Sequence, residues 1–263
     1  MAFHTESAPD SNPIEILRAF PDVSVCHGFV GRSGGVSRGP FASLNLSYWV
    51  GDDSAAVDSN WERLRSEVPA LGGVARMNQV HGNTIHVVTR ATVADRPRGD
   101  GMVTAEPGVI LGIFSADCVP ILMIDPKRKI AGAFHAGWRG VIADIATAGV
   151  AAMTKLGARA SDLRFALGPS IGPCCFEVGG DLADRFRAEV VSSQNHITAG
   201  REGKAYINLR AIVTEQLKRV GNIATASGIV GPCTKCASDR FFSRRAAGGN
   251  TTGLQLSFVG FTD

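Results

Sequence analysis

The sequence predicts a single α+β domain that combines a mixed sheet with several helices. Three observations carry that prediction. Apolar runs at 109–114 (VILGIF), 119–124 (VPILMI) and 130–136 (IAGAFHA) are short and bounded by turn residues, as buried strands are. Two longer segments repeat apolar residues every three or four positions, the period of a helix with one buried face. No stretch rich in Pro, Gly or Ser is long enough to divide the 263 residues, a length one large domain can reach.

Along the chain, residues 1–20 read as a loose, polar tail and 21–263 as the folded unit. Residues 23–30 alternate as a strand and run into the glycine-rich turn GRSGGVSRG at 31–39. A helix is expected over 54–68, where Val57, Trp61, Leu64 and Val68 share a face and Asp52, Asp53 or Ser54 can cap the start. A short strand at 84–89 precedes the three apolar runs. The strongest helical pattern covers 141–156, with Val141, Ile145, Ala148, Ala152 and Leu156 on one side and Gly157 to end it. Further strands are expected at 163–167, 205–208, 223–230 and 254–261, and helices near 181–191 and 209–220.

Composition narrows the function classes. The net charge is only +3 and the basic residues are scattered, so there is no electrostatic footprint for nucleic acid. No apolar run approaches the ~18 residues of a membrane span. Six Cys are too sparse for a disulfide scaffold, and the polar N-terminus lacks an export pattern, so a cytoplasmic, reducing setting is expected. A monomer is expected, because no heptad or exposed edge pattern is present. Gly is the outlier, about 12% of residues against a usual ~7%, which signals tight turns or close backbone approaches.

Three segments share one form, an apolar stretch that delivers an imidazole or a thiol to a turn. They are NQVHGN around His81, SADCVP around Cys118 and FHAGWRG around His135. Two imidazoles and one thiolate suit zinc, and three protein ligands leave the fourth tetrahedral position open, as catalytic sites do. The separations of 37 and 17 residues match no short zinc pattern, so on spacing alone core or loop histidines and a small buried thiol are the plainer reading. Cys118 could also be a nucleophile with His135 as its base. Asp117 and Asp100 are candidates for proton transfer or for orienting an imidazole, with turn capping the plainer role for Asp100. Trp138 and Phe242 are weaker candidates for stacking on a ligand. Cys233 and Cys236 form a lone C-x-x-C, for which packing is the plainer reading, ahead of a redox pair or a four-thiolate site with Cys174 and Cys175.

NQVHG, SADCVPILM, HAGWRG, GPSIGPCCFEVG and CT…FFSRR, with GRSGGVS…FASLNLSYWVGDD before them, resemble in order the motifs of the YfiH family, from about residue 28 to the end. Proteins of this kind are also called laccase-domain, multicopper polyphenol oxidase or peptidoglycan editing proteins. The resemblance implies a layered α/β/β/α sandwich similar to the catalytic domain of cytotoxic necrotizing factor toxins. It implies a zinc held by His81, Cys118 and His135, with copper(II) as an adventitious competitor. It further implies phosphorolysis of adenosine, inosine and S-methyl-5'-thioadenosine, together with adenosine deamination, so the expected partners are a nucleoside and phosphate.

Zinc suits the deamination because it makes water acidic enough to attack at neutral pH. Phosphorolysis needs an oriented phosphate, for which Arg32 and Arg139 are the candidates. Asn45, Asn78 and Cys175 sit in matching motifs as candidates for substrate contact. The alternative function is a hydrolase that edits peptidoglycan precursors through Cys118. Copper phenol oxidation fits poorly, since six His with no H-x-H pair fall short of a multicopper set. A binding protein with a purely structural metal would need a fourth ligand, and none is evident beside the three motifs. Two departures bear on substrate choice: Leu254 stands where the family commonly has Arg, and Trp61 follows Asn60 where Arg is common.

Overall fold

The computed structural model describes residues 12–221 and 224–262. The strands are β1 (Ile16–Leu17), β2 (Cys26–Val30), β3 (Ile85–Val87), β4 (Gly101–Thr104), β5 (Leu111–Ser115), β6 (Val119–Asp125), β7 (Ile130–Ala136), β8 (Arg164–Leu167), β9 (Glu177–Gly179), β10 (Ile197–Ala199), β11 (Lys204–Ile207), β12 (Ala224–Ile229) and β13 (Gln255–Gly260). The α-helices are α1 (Ser54–Glu67), α2 (Trp138–Ile142), α3 (Ile145–Lys155), α4 (Gly180–Glu189) and α5 (Leu209–Gly221).

Six strands in the order β12-β8-β6-β7-β4-β3 make the central sheet, with parallel pairs only at its two edges. Four strands, β1-β2-β13-β5, make a second sheet, and β10-β11-β9 a third, small one. This is the mixed α+β domain that the short apolar runs predict.

The side-chain alternation of β6 explains why its sequence is continuously apolar. Val119, Ile121 and Met123 face α3 and α5, packing with Ile145, Val150, Met153, Ile212 and Leu217. Leu122 and Ile124 face the other way, toward Phe29, Leu111, Ile113 and Val259 of the second sheet. A strand buried on both faces has no solvent side to make polar. The outer face of the second sheet is covered in turn, with Val30, Phe114, Leu256 and Phe258 packed on Val57, Trp61 and Leu64 of α1. The layer order is therefore helix, sheet, sheet, helix.

Two expectations need correction, and one strand was not expected. The tail expected through residue 20 ends earlier, since β1 pairs with β2 and both Ala19 and Phe20 are buried. The single helix expected over 141–156 is two, α2 and α3. They are parted at Asp144, which takes a left-handed conformation (φ +54°) while its carboxylate caps α3 at the Thr147 N–H. The apolar period runs unbroken across that corner because both helices press on the same core. Strand β4 goes unseen in the sequence because GMVT is too short, and too close to two glycines, to stand out. Of the strand expected at 223–230, residue 223 lies outside the described residues.

Candidate metal centre and its cleft

Strand ends and turns bring the three segments together. Cys118 follows the turn that carries the chain from β5 in one sheet to β6 in the other. His135 lies in β7, directly opposite Pro120 of β6, one residue past Val119. His81 enters from the loop before β3 in a left-handed conformation (φ +61°), which for a non-glycine residue must be stabilised by its surroundings. The ligand atoms of His81, Cys118 and His135 all lie within 4.8 Å of one another, and the two imidazole rings meet edge to face at 4.8 Å.

Asp100, at the start of β4, holds this arrangement. Its Oδ1 accepts from His135 Nδ1 at 2.8 Å and from the His81 N–H at 2.9 Å. Its Oδ2 accepts from Gly82 N–H at 2.7 Å and from Val80 N–H at 3.1 Å. One buried carboxylate thereby shapes the His81 loop and presents the other nitrogen of His135, Nε2, to the site. Capping and imidazole orientation are thus a single role. Burial opposes the Asp100 charge, but the His135 ring and the loop N–H groups outweigh it and lower its pKa.

Electrostatics pair Cys118 with His135. Burial raises the Cys118 thiol, yet the His135 charge and hydrogen bonds from both imidazoles bring it down to about 6. Burial lowers His135, and the Cys118 charge and the Asp100 hydrogen bond lift it to about 9. Without metal the pair is a thiolate and an imidazolium. Gly137 makes room for the cluster, since a Cβ there would meet His81 Cδ2 at 2.7 Å and Cys118 Sγ at 3.2 Å.

A cleft of about 490 Å³ opens onto the three residues, walled by Trp49, Met77, Phe114 and Leu254. That volume lies in the range of small-molecule sites. Gln79 is part of the wall rather than a free contact, because its amide bonds both the N–H and the C=O of Phe114 at 2.8 Å. Asn78 lines the cleft, its side-chain NH₂ donating to Arg96 O at 3.2 Å. A second cavity of about 260 Å³ lies on the other side of Cys118, bordered by Asp117, Ile171, Phe176, Arg244 and Arg245. Leu254 borders the larger cleft, whereas Trp61 is buried beneath its wall against Phe114.

Other sequence candidates are placed differently. Arg32 does not line the cleft; its guanidinium is spent on the carbonyls of Ala42 and Ser238 and stacks on Phe242. Asn45 is fully buried and used up, donating to Ser47 O and Asp52 while accepting from Ser47 and Leu254 N–H. Asp117 (φ +95°) turns its carboxylate away from the thiol, accepting from Thr234 Oγ1 at 2.6 Å and Arg245 N–H at 2.7 Å. Arg139 is exposed on α2 over the Trp138 ring, outside the cleft. Cys175 belongs to a separate group of thiols.

Among the cleft residues that escaped the sequence reading are Arg244 and Ser115. Arg244 is exposed and borders both cavities. It lies in the FFSRR motif, so the signal was present but indistinguishable from other basic residues. Ser115 lines the cleft with a buried Oγ that has no hydrogen-bond partner. It opens the SADCVP motif, but a serine three residues before a candidate thiol carries no signal of its own.

The model of the family described as multi-copper polyphenol oxidoreductase laccase matches residues 26–262. The chain belongs to that family. It is 38% identical over 240 residues to the purine nucleoside phosphorylase of Deinococcus radiodurans, covering 90% of each chain. It is 39% identical over 238 residues to purine nucleoside phosphorylase SCO2081 of Streptomyces coelicolor, covering 88% of this chain and 93% of the relative. Among solved structures, YlmD from Geobacillus stearothermophilus superimposes with a TM-score of 0.85 at 34% identity, over 97% of this chain and 100% of that one. The Bacillus licheniformis hypothetical protein YfiH does so with a TM-score of 0.83 at 30% identity, over 90% and 93%. The resemblance read from the motifs is borne out. Among the described residues no helix is long and apolar enough to cross a membrane.

Proposed function

We propose that this chain is a zinc-dependent purine nucleoside phosphorylase. In this reading it converts adenosine, inosine and S-methyl-5'-thioadenosine, with phosphate, to free base and sugar 1-phosphate, and it also deaminates adenosine. The observation that carries the reading is the meeting of two cavities at Cys118, one of nucleoside size and one smaller, with Arg244 bordering both. The relatives' name, purine nucleoside phosphorylase, supports the phosphorolysis of a purine nucleoside.

The donor set fits zinc. Metal–ligand bonds of ~2.0–2.3 Å in a tetrahedron separate the ligand atoms by roughly 3.5 Å, within reach of three groups that lie inside 4.8 Å of one another. Convergence of two imidazoles on one sulfur also favours ligation over nucleophilic attack, which needs a single base. When bound, zinc supplies a Lewis acid suited to making water nucleophilic for the deamination. Copper(II) binds such N/S sites more tightly still, so metal identity is a matter for elemental analysis.

The protein's own groups do the rest. Trp49, Met77, Phe114 and Leu254 exclude water and offer flat or apolar surface to a purine. The Ser115 hydroxyl and the Asn78 amide give the nucleoside hydrogen bonds. Arg244 holds phosphate at the junction of the cavities, the role the sequence assigned to Arg32 or Arg139. Asp100 keeps His135 in the ligating tautomer. Small polar substrates of this kind accord with a cytoplasmic protein.

The test is release of hypoxanthine from inosine by the zinc-loaded chain, with and without phosphate. Phosphate-dependent release is expected, and ammonia from adenosine should appear independently of phosphate. Zinc-loaded protein that leaves all three nucleosides unchanged would overturn the proposal.

A further inference from the structure

A second cluster of soft ligands lies outside the cleft. The loop between β8 and β9 carries Cys174 and Cys175, and the segment after β12 carries Cys233 and Cys236. The four sulfurs lie within 4.8 Å of one another, and Cys236 Sγ is 3.6 Å from that of Cys174 and 3.5 Å from that of Cys175. All four are free thiols. A disulfide needs sulfurs ~2.05 Å apart. A tetrahedral zinc with Zn–S bonds of ~2.3 Å separates its sulfurs by about 3.8 Å, close to the spacing observed. A cluster with bridging sulfides would hold the cysteines farther apart.

We propose that Cys174, Cys175, Cys233 and Cys236 form a second zinc site, a closed four-thiolate centre with a structural role. Two adjacent cysteines would be an awkward chelate alone. Here they meet a C-x-x-C from 58 residues further along (175 to 233), so the metal is held between two separate segments. The surroundings favour the Cys233 thiolate and the close packing of the loop against it. The Gly172 N–H donates to Cys233 Sγ at 3.1 Å, and a Cβ at Gly172 would press on Cys233 Cβ at 3.1 Å and Cys174 Sγ at 3.3 Å.

Arg210, almost wholly buried, donates to Ser170 Oγ at 2.7 Å and to the carbonyls of Ser170, Gly231 and Pro232. It ties the same two segments together and brings a positive charge to a centre whose four thiolates exceed the charge of one Zn²⁺. Four protein sulfurs leave no open position, which marks a structural rather than a catalytic metal.

The site also reaches Cys118. Thr234, inside the C-x-x-C, donates to Asp117 Oδ1, and Arg245 donates to the carbonyls of Cys175 and Glu177 while its own N–H binds Asp117 Oδ2. The four-thiolate centre therefore braces the turn that presents Cys118. The inference does not depend on the nucleoside reading.

The experiment is zinc analysis of the full chain purified under reductant, beside two double variants. Wild type should carry two zinc ions, and Cys233→Ser/Cys236→Ser and His81→Ala/His135→Ala one each. Cobalt(II) added to the His81→Ala/His135→Ala chain should give the intense thiolate charge-transfer bands of a tetrahedral sulfur site. That reading stands even if the cysteine variant does not fold. Cobalt spectra without those bands, cysteine-variant protein with the zinc content of wild type, or a wild-type mass reduced by disulfide formation would each overturn the proposal.

Discussion

Asp100 grips His135 at two points. Its carbonyl oxygen accepts the His135 N–H at 2.7 Å, and its carboxylate accepts from Nδ1 at 2.8 Å. The first bond sets the strand on which the imidazole rides and the second sets its rotation. The same carboxylate holds the His81 loop, so two of the three candidate ligands depend on one side chain.

Asp100→Asn removes the charge and replaces one acceptor oxygen with a donor facing N–H groups. Zinc affinity at the His81–Cys118–His135 centre should fall roughly 10- to 100-fold, the usual effect of losing a group that orients a ligand. A competition titration against a chromophoric chelator measures it. Unchanged affinity would mean that the loop and ring keep their places without the carboxylate.

Gly137→Ala tests the close packing around the metal ligands. Gly137 has φ −70° and ψ 164°, which alanine adopts freely, so the backbone bears no strain. The added methyl meets His81 and Cys118 instead, and overpacking of this kind costs about 1–3 kcal/mol. Metal binding should weaken by about tenfold or more while circular dichroism stays native. A variant that binds zinc like wild type would show that the two side chains can move aside.

Arg244→Ala should raise the KM for phosphate roughly 10- to 100-fold, the worth of a charge-assisted hydrogen bond, with deamination of adenosine spared. Arg32→Ala should instead lower thermal stability, because its guanidinium binds the carbonyls of Ala42 and Ser238. Steady-state kinetics at varied phosphate, paired with melting curves, separates the two arginines. If the phosphate KM responds to Arg32 and not to Arg244, their roles are reversed.

Metal uptake should release protons in a predictable direction. With Cys118 lowered to about 6 and His135 raised to about 9, the metal-free centre at neutral pH is a thiolate beside an imidazolium. A ligating imidazole must be neutral, so binding expels the His135 proton. Affinity therefore rises with pH and levels off once pH passes about 9, where that proton is already gone. Below about 6 the thiol also holds its proton, and affinity falls more steeply. Calorimetry in buffers of different ionisation heat, on the Cys233→Ser/Cys236→Ser chain so that only this centre fills, should count about one proton per metal at neutral pH. No release would mean that His135 is neutral beforehand.

Local pattern was enough for most elements. Helix α1 was legible from Val57, Trp61 and Leu64 because one buried face imposes a 3.6-residue period. Strands β5, β6 and β7 were legible because burial on both faces leaves continuous apolar runs between turns. The ligands His81, Cys118 and His135 were legible as residue types in turn-bearing motifs, and the ordered resemblance made them a set. Other features depend on partners distant in sequence. Strand β4 is a strand because β3 and β7 flank it. The plain turn capping read for Asp100 becomes an imidazole clamp only once β4 lies beside β7. Arg32, Asn45 and Asp117 carry the right functional groups, but carbonyls, N–H groups and a hydroxyl brought in from elsewhere in the chain occupy them.

The alternation of side chains and the chemistry of single residues are therefore written into the chain itself, because they need only neighbours a few positions away. Which of those residues meet, and which are left free to meet a ligand, follows from sheet order and loop contact. A hydrogen bond saturates its partners, so a polar group's availability is a property of the folded surroundings rather than of the residue.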